Sequence, residues 1–96
     1  MSNLKITLAQ INPLVGDIDG NTLTILKHVD RAIAEQHADV IVFPELTLCG
    51  YPPEDLLLRP SLQKRIDRAL ESLCAIPRPQ CIVVGYPKVV DGQLYN

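Results

Sequence analysis

No stretch of this chain is apolar for long enough to cross a bilayer. Runs such as Val40 to Phe43, Leu56 to Leu58 and Ile82 to Val84 fall far short of the roughly 20 residues a spanning helix needs. A secretory signal is missing as well, because Thr7, Gln10 and Asn12 interrupt the place where its uninterrupted apolar core would lie. Cysteine is scarce and scattered. Cys49, Cys74 and Cys81 form neither a C-x-x-C nor a closed disulfide framework, and His28 and His37 add no metal-ligand spacing. Three reduced thiols buried as small hydrophobes, in a cytoplasmic protein, are the expectation. An excess of basic charge is also lacking: nine Lys and Arg stand against eleven Asp and Glu, for a net charge of −2. That balance gives no surface for neutralising phosphates, so neither nucleic acid nor membrane is expected as a partner. There is no internal repeat and no low-complexity tract.

What is present has a globular composition, with 47% hydrophobic and 21% charged residues in a chain of 96. A chain of this length is one small domain or a piece of a larger one, and buries only about 60–70% of its unfolded surface. Leu4 to Ile11 alternates and reads as a strand ended by Asn12-Pro13. Gly16-Asp-Ile-Asp-Gly-Asn21 is turn chemistry, with Asp19 or Asn21 as the cap of a following helix. Leu23, Leu26, Val29, Ala32 and Ile33 recur at helical spacing in that helix. Val40 to Phe43 is apolar without alternation, as in a strand covered on both faces.

The segment from Pro44 to Arg59 is a long loop, yet Leu46, Leu48, Tyr51 and Leu56 to Leu58 make it apolar enough to pack. Pro60 suits the first turn of a second helix, whose buried stripe is Leu62, Ile66, Ala69, Leu70 and Leu73 and which Pro77 and Pro79 end. Cys81 to Tyr86 is a third strand, and Lys88 to Tyr95 a hairpin turning at Asp91-Gly92. The order β-α-β-α-β plus hairpin implies an α/β fold with a parallel sheet. Such a sheet leaves an edge and a face uncovered, so residues 1–96 are expected to be the opening portion of a larger domain, incomplete at the C-terminal end.

Glu45 stands just past the carboxyl end of the second strand, where open α/β sheets place their chemistry. Lined by Phe43, Leu46 and Tyr51, its carboxyl would be desolvated and its pKa raised toward that of a general base working near neutral pH. An ordinary acidic residue at a strand-to-loop junction fits the same position. Cys49, on the same loop, lacks a fixed geometry toward a base and an oxyanion donor, and reads as a buried small residue. Gly16 to Gly20 lacks both G-x-G-x-x-G and a P-loop lysine, and its aspartates would repel phosphate; it is a turn and cap. Lys64, Arg65 and Arg68, diluted by Asp67 and Glu71, make a solvated helix face. His28 and His37 take surface or helix-end roles.

Lys5-Ile-Thr-Leu-Ala-Gln-Ile-Asn-Pro-Leu-Val-Gly-Asp17, Asn21 and Val42-Phe-Pro-Glu-Leu46 together resemble the start of the nitrilase (carbon–nitrogen hydrolase) superfamily. Cys49-Gly-Tyr-Pro-Pro-Glu-Asp-Leu-Leu57, with Gly85-Tyr-Pro and Leu94-Tyr-Asn96, is similar more narrowly to the glutaminase domains of bacterial glutamine-dependent NAD synthetases. The resemblance implies a four-layer α-β-β-α sandwich, of which this chain would be the opening portion. It implies a Glu-Lys-Cys triad in which Glu45 is the general base. The partner lysine and nucleophilic cysteine are expected beyond this chain; neither Lys88 nor Cys49 matches them.

The implied reaction releases ammonia from glutamine for amidation of deamido-NAD in a C-terminal synthetase domain. ATP and Mg belong to that domain, and no cofactor to this segment. Tyr51 is a candidate wall of the glutamine pocket, or else a packing anchor for its loop. The complete enzyme is expected to be a homo-oligomer, and the chain alone inactive. Two other readings remain open from sequence: a stand-alone amidohydrolase of the same superfamily, and a non-catalytic α/β module that associates through its open sheet edge.

Overall fold

A computed structural model of the chain describes residues 3–50, 60–75 and 78–95. Strand β1 (Ile6–Leu8), helix α1 (Ile18–Gln36), strand β2 (Val40–Val42), helix α2 (Pro60–Cys74) and strand β3 (Cys81–Val83) follow in order. A hairpin of β4 (Lys88–Val90) and β5 (Gln93–Tyr95) comes last. The β-α-β-α-β order with a terminal hairpin is the expected α/β arrangement. Tyr51, the packing of Leu56 to Leu58 and Pro77 lie outside the described residues.

The three strands pair in parallel in the order β1-β2-β3. The register sets Ile6, Val40 and Cys81 in one row, Thr7, Ile41 and Ile82 in the next, and Leu8, Val42 and Val83 in a third. Because side chains alternate across a sheet, the middle row faces opposite to the other two. That middle face is covered: α1 and α2 contact each other, and Ile41 is fully buried among Ile25, Val29, Leu62, Ile66 and Ala69. The other face is open, with Ile6 at 56%, Leu8 at 74% and Val83 at 47% exposure. The expectation that β2 is covered on both sides is therefore corrected: Val40 and Val42 are only half-buried. Cys81 is exposed on the open face and Cys74 is exposed in the last turn of α2, so neither is the core residue expected of it.

Helix α1 begins earlier than its expected caps. Asp17 is the N-cap, its carboxylate accepting the Gly20 N–H at 3.1 Å, while Asp19 sits in the first turn, where a negative charge favours the helix dipole. The earlier start turns the buried face. Ile18, Asn21, Thr22, Ile25, Val29 and Ala32 point inward, and Leu23, expected in the stripe, is 69% exposed. His37 closes the helix in a left-handed conformation (φ 53°), its N–H reaching the Ile33 carbonyl at 3.2 Å. In α2 the expected stripe is present, with Leu62, Ile66 and Ala69 buried and Leu70 and Leu73 packed beside the core. The hairpin turns at Asp91 (φ 51°) and Gly92 (φ 77°), positive φ at both central residues, as a tight two-residue turn requires.

Candidate active site

Strand β2 is the central strand, and its carboxyl end carries Glu45. The ladder continues one residue past the strand, where the Phe43 N–H donates to the Val83 carbonyl at 3.0 Å. Pro44 has no N–H to continue it, and the chain leaves the sheet. Residues 45–49 then form a run of turns in which Leu46, Thr47, Leu48 and Cys49 are buried while Glu45 stays exposed.

This turn is strongly determined. Leu46 has φ 54°, a left-handed conformation that a bulky side chain rarely adopts and that costs on the order of 1–3 kcal/mol. Burial of its side chain and several hydrogen bonds hold it there. The Gly50 N–H donates to the Leu46 carbonyl at 2.8 Å, and the Thr47 hydroxyl donates to the Pro44 carbonyl. From the preceding loop, the Gly16 N–H donates to the Cys49 carbonyl at 2.8 Å. Asn21, buried on α1, joins both segments. Its Oδ1 accepts the Leu14 N–H at 2.9 Å, and its Nδ2 donates to the Leu14 carbonyl at 2.8 Å and the Leu48 carbonyl at 3.0 Å. Strain retained in an over-determined turn is a mark of functional sites in general.

On the other side, the backbone after β3 runs against the turn. A Cβ at Gly85 would lie 2.9 Å from the Leu46 nitrogen and 3.4 Å from the Glu45 Cα. Gly85 also lines a cavity of about 510 Å³, together with Val84, Tyr86, Lys88 and Tyr95.

The expected site residues fare differently. Glu45 is where the strand-end argument put it, but exposed, so the described residues do not build the dry surroundings expected of Phe43 and Leu46; both of those turn into the core instead. Cys49 is fully buried, with its thiol directed at the Gly50 carbonyl (3.4 Å) and the Leu46 carbonyl (3.8 Å). Burial pushes that thiol's pKa above its usual value, which a backbone hydrogen bond only partly offsets. A buried, protonated thiol is a packing group, not a nucleophile.

Gly16 to Gly20 is a turn and cap, and Arg65 donates to the Gly16 carbonyl at 2.9 Å from the exposed face of α2. Asp17 already occupies the N-terminus of α1, and no group of three or more His, Cys, Asp or Glu among the described residues is placed to hold a metal. Two features had little signal in sequence: the left-handed Leu46 and the clamp made by Asn21. Gly85 had some, since a lone glycine ending an apolar run marks close approach of another backbone.

The profile of the carbon-nitrogen hydrolase family matches residues 5–96. Among curated proteins, the chain is similar to the glutamine-dependent NAD(+) synthetase of Acinetobacter baylyi. The two are 41% identical over 97 residues, covering 100% of this chain and 18% of the relative. The synthetase of Aquifex aeolicus is 43% identical over 95 residues, 97% of this chain and 16% of the relative. Among solved structures, the glutamine-dependent NAD+ synthetase of Acinetobacter baumannii in complex with ADP superimposes with a TM-score of 0.89 at 42% identity. That match covers 97% of this chain and 18% of the other. The synthetase of Cytophaga hutchinsonii gives a TM-score of 0.89 at 25% identity, covering 99% and 16%. The chain therefore spans less than a fifth of the length of these relatives.

Proposed function

The chain belongs to the carbon–nitrogen hydrolase family, and from that premise we propose that it is part of the glutaminase half of a glutamine-dependent NAD synthetase, with Glu45 as general base. One observation carries the proposal. The motif Phe43-Pro-Glu-Leu46 lies on a strained, multiply anchored turn at the carboxyl end of the central strand, with the Glu45 side chain exposed.

In this reading a cysteine elsewhere in the longer polypeptide attacks the side-chain amide carbon of glutamine. Glu45 accepts the thiol proton as the carbon–sulfur bond forms, and a lysine stabilises the negative charge on the tetrahedral oxygen. The proton then passes to the leaving nitrogen, the carbon–nitrogen bond breaks, and ammonia leaves a thioester that water hydrolyses to glutamate. Tyr51 serves as a wall of the glutamine pocket. The ammonia is consumed in a synthetase domain that binds ATP and Mg, in a cytoplasmic homo-oligomer.

The open face of the sheet supports the wider architecture. Ile6, Leu8 and Val83, with half-buried Val40 and Val42, form an apolar surface that a second sheet would cover, completing a four-layer α-β-β-α sandwich. The catalytic proposal is tested in a hybrid enzyme in which this chain replaces the segment it matches in the Acinetobacter baylyi synthetase. Glutamine-supported NAD synthesis is expected, and Glu45→Gln should lower it by about 10²–10⁴-fold while ammonia-supported synthesis persists. Retention of glutamine-supported turnover by Glu45→Gln would remove Glu45 from the mechanism.

A further inference from the structure

We propose that Gly85 is a positioning residue for Glu45, its missing side chain setting the place from which the carboxylate works. The proposal rests on the reading of Glu45 as general base and adds to it a residue on a different strand connection. Gly85 follows β3 and is partly buried. A Cβ there would stand 2.9 Å from the Leu46 nitrogen, 3.4 Å from the Glu45 Cα and 3.6 Å from the Glu45 carbonyl carbon. All three are backbone atoms, which cannot swing aside as a side-chain tip can. Gly85 is not among the glycines with positive φ, so its own conformation is open to alanine. What requires glycine at this position is the contact alone.

The turn it meets has little room to retreat. Leu46 is already in a strained left-handed conformation with its side chain buried, and its carbonyl is held by the Gly50 N–H. Thr47 and Asn21 hold the carbonyls of Pro44 and Leu48. A methyl group at position 85 therefore moves the one member of the turn that faces outward, Glu45. Misplacing a catalytic group by about 1 Å can cost about 100-fold in rate.

The test uses the hybrid synthetase described above and compares Gly85→Ala, Glu45→Gln and the double variant. Gly85→Ala is expected to lower kcat for glutamine hydrolysis by about 10- to 100-fold, with KM for glutamine within about twofold and ammonia-supported NAD synthesis unchanged. In the Glu45→Gln background the same change should have no further effect, because a residue that acts through Glu45 has nothing left to position. A kcat within twofold of the parent overturns the proposal. So does a KM that rises in step with the loss, a parallel loss of ammonia-supported synthesis, or an effect that multiplies with that of Glu45→Gln; each marks a general structural role. Failure of the underlying reading is distinct: Glu45→Gln would then hydrolyse glutamine at the parental rate.

Discussion

The two faces of the three-stranded sheet have opposite fates. On one, Thr7, Ile41 and Ile82 lie under two helices, and Ile41 has no exposed surface. On the other, Ile6, Leu8 and Val83 are as apolar and yet face outward. Full burial of each would contribute about 1.5–3 kcal/mol, which the described residues forgo. The covered face holds this chain together, while the open face keeps its apolar side chains exposed. The candidate site lies at the rim between them, on the turn that leaves the central strand.

The sharpest way to separate the faces is to empty one side chain on each. Ile41→Ala removes a fully buried branched side chain from the helix-covered core and should cost about 2–5 kcal/mol, measured by urea unfolding. Asn21→Ala comes next. It leaves the Leu14 N–H and the Leu14 and Leu48 carbonyls without their partner and should cost about 2–3 kcal/mol. Leu8→Ala on the open face should stay within about 0.5 kcal/mol in the chain by itself, because Leu8 has little surface to lose from burial. In the hybrid synthetase the same change should cost about 1.5–3 kcal/mol if a second sheet covers that face. An equal, negligible effect in both settings would count against the sandwich.

The covered face was also the more legible one in sequence. Leu62, Ile66 and Ala69 in α2 recur at a helical period and are buried as that period requires. Val40 to Val42 read correctly as a strand, but its apolar composition could not tell cover present from cover still required. The start of α1 was misplaced because Asp17, Asp19 and Asn21 all have capping chemistry. The buried Ile18 decides among them, and burial is a tertiary fact. Cys74 and Cys81 illustrate the same limit: thiols are usually buried, but these two lie where the described chain offers nothing to bury them. The strand-end position of Glu45 was legible from the apolar run and Pro44 before it. The left-handed Leu46 beside it was not, because nothing in a leucine announces positive φ.

The thiols extend the comparison to its smallest expected effect, which is nil at neutral pH. Cys49 is buried with the covered core, and Cys81 is exposed on the open face. A thiol reagent at neutral pH should therefore label Cys81 in the folded chain and reach Cys49 only when the Glu45 turn opens. Burial raises the Cys49 pKa above its ordinary value of 9.0. Below that value the thiol is protonated in both folded and unfolded chains and the stability it contributes is complete. As pH rises above it, the unfolded chain ionises first, and stability is lost progressively until the folded thiol ionises too. The urea midpoint should thus fall more steeply above about pH 9 in the parent than in Cys49→Ala, which keeps every other titrating group. Identical slopes would mean that the turn around Cys49 is open to water in solution. In that case the carbonyls that anchor Glu45 would not be held as tightly as the hydrogen bonds of Asn21 and Gly16 imply.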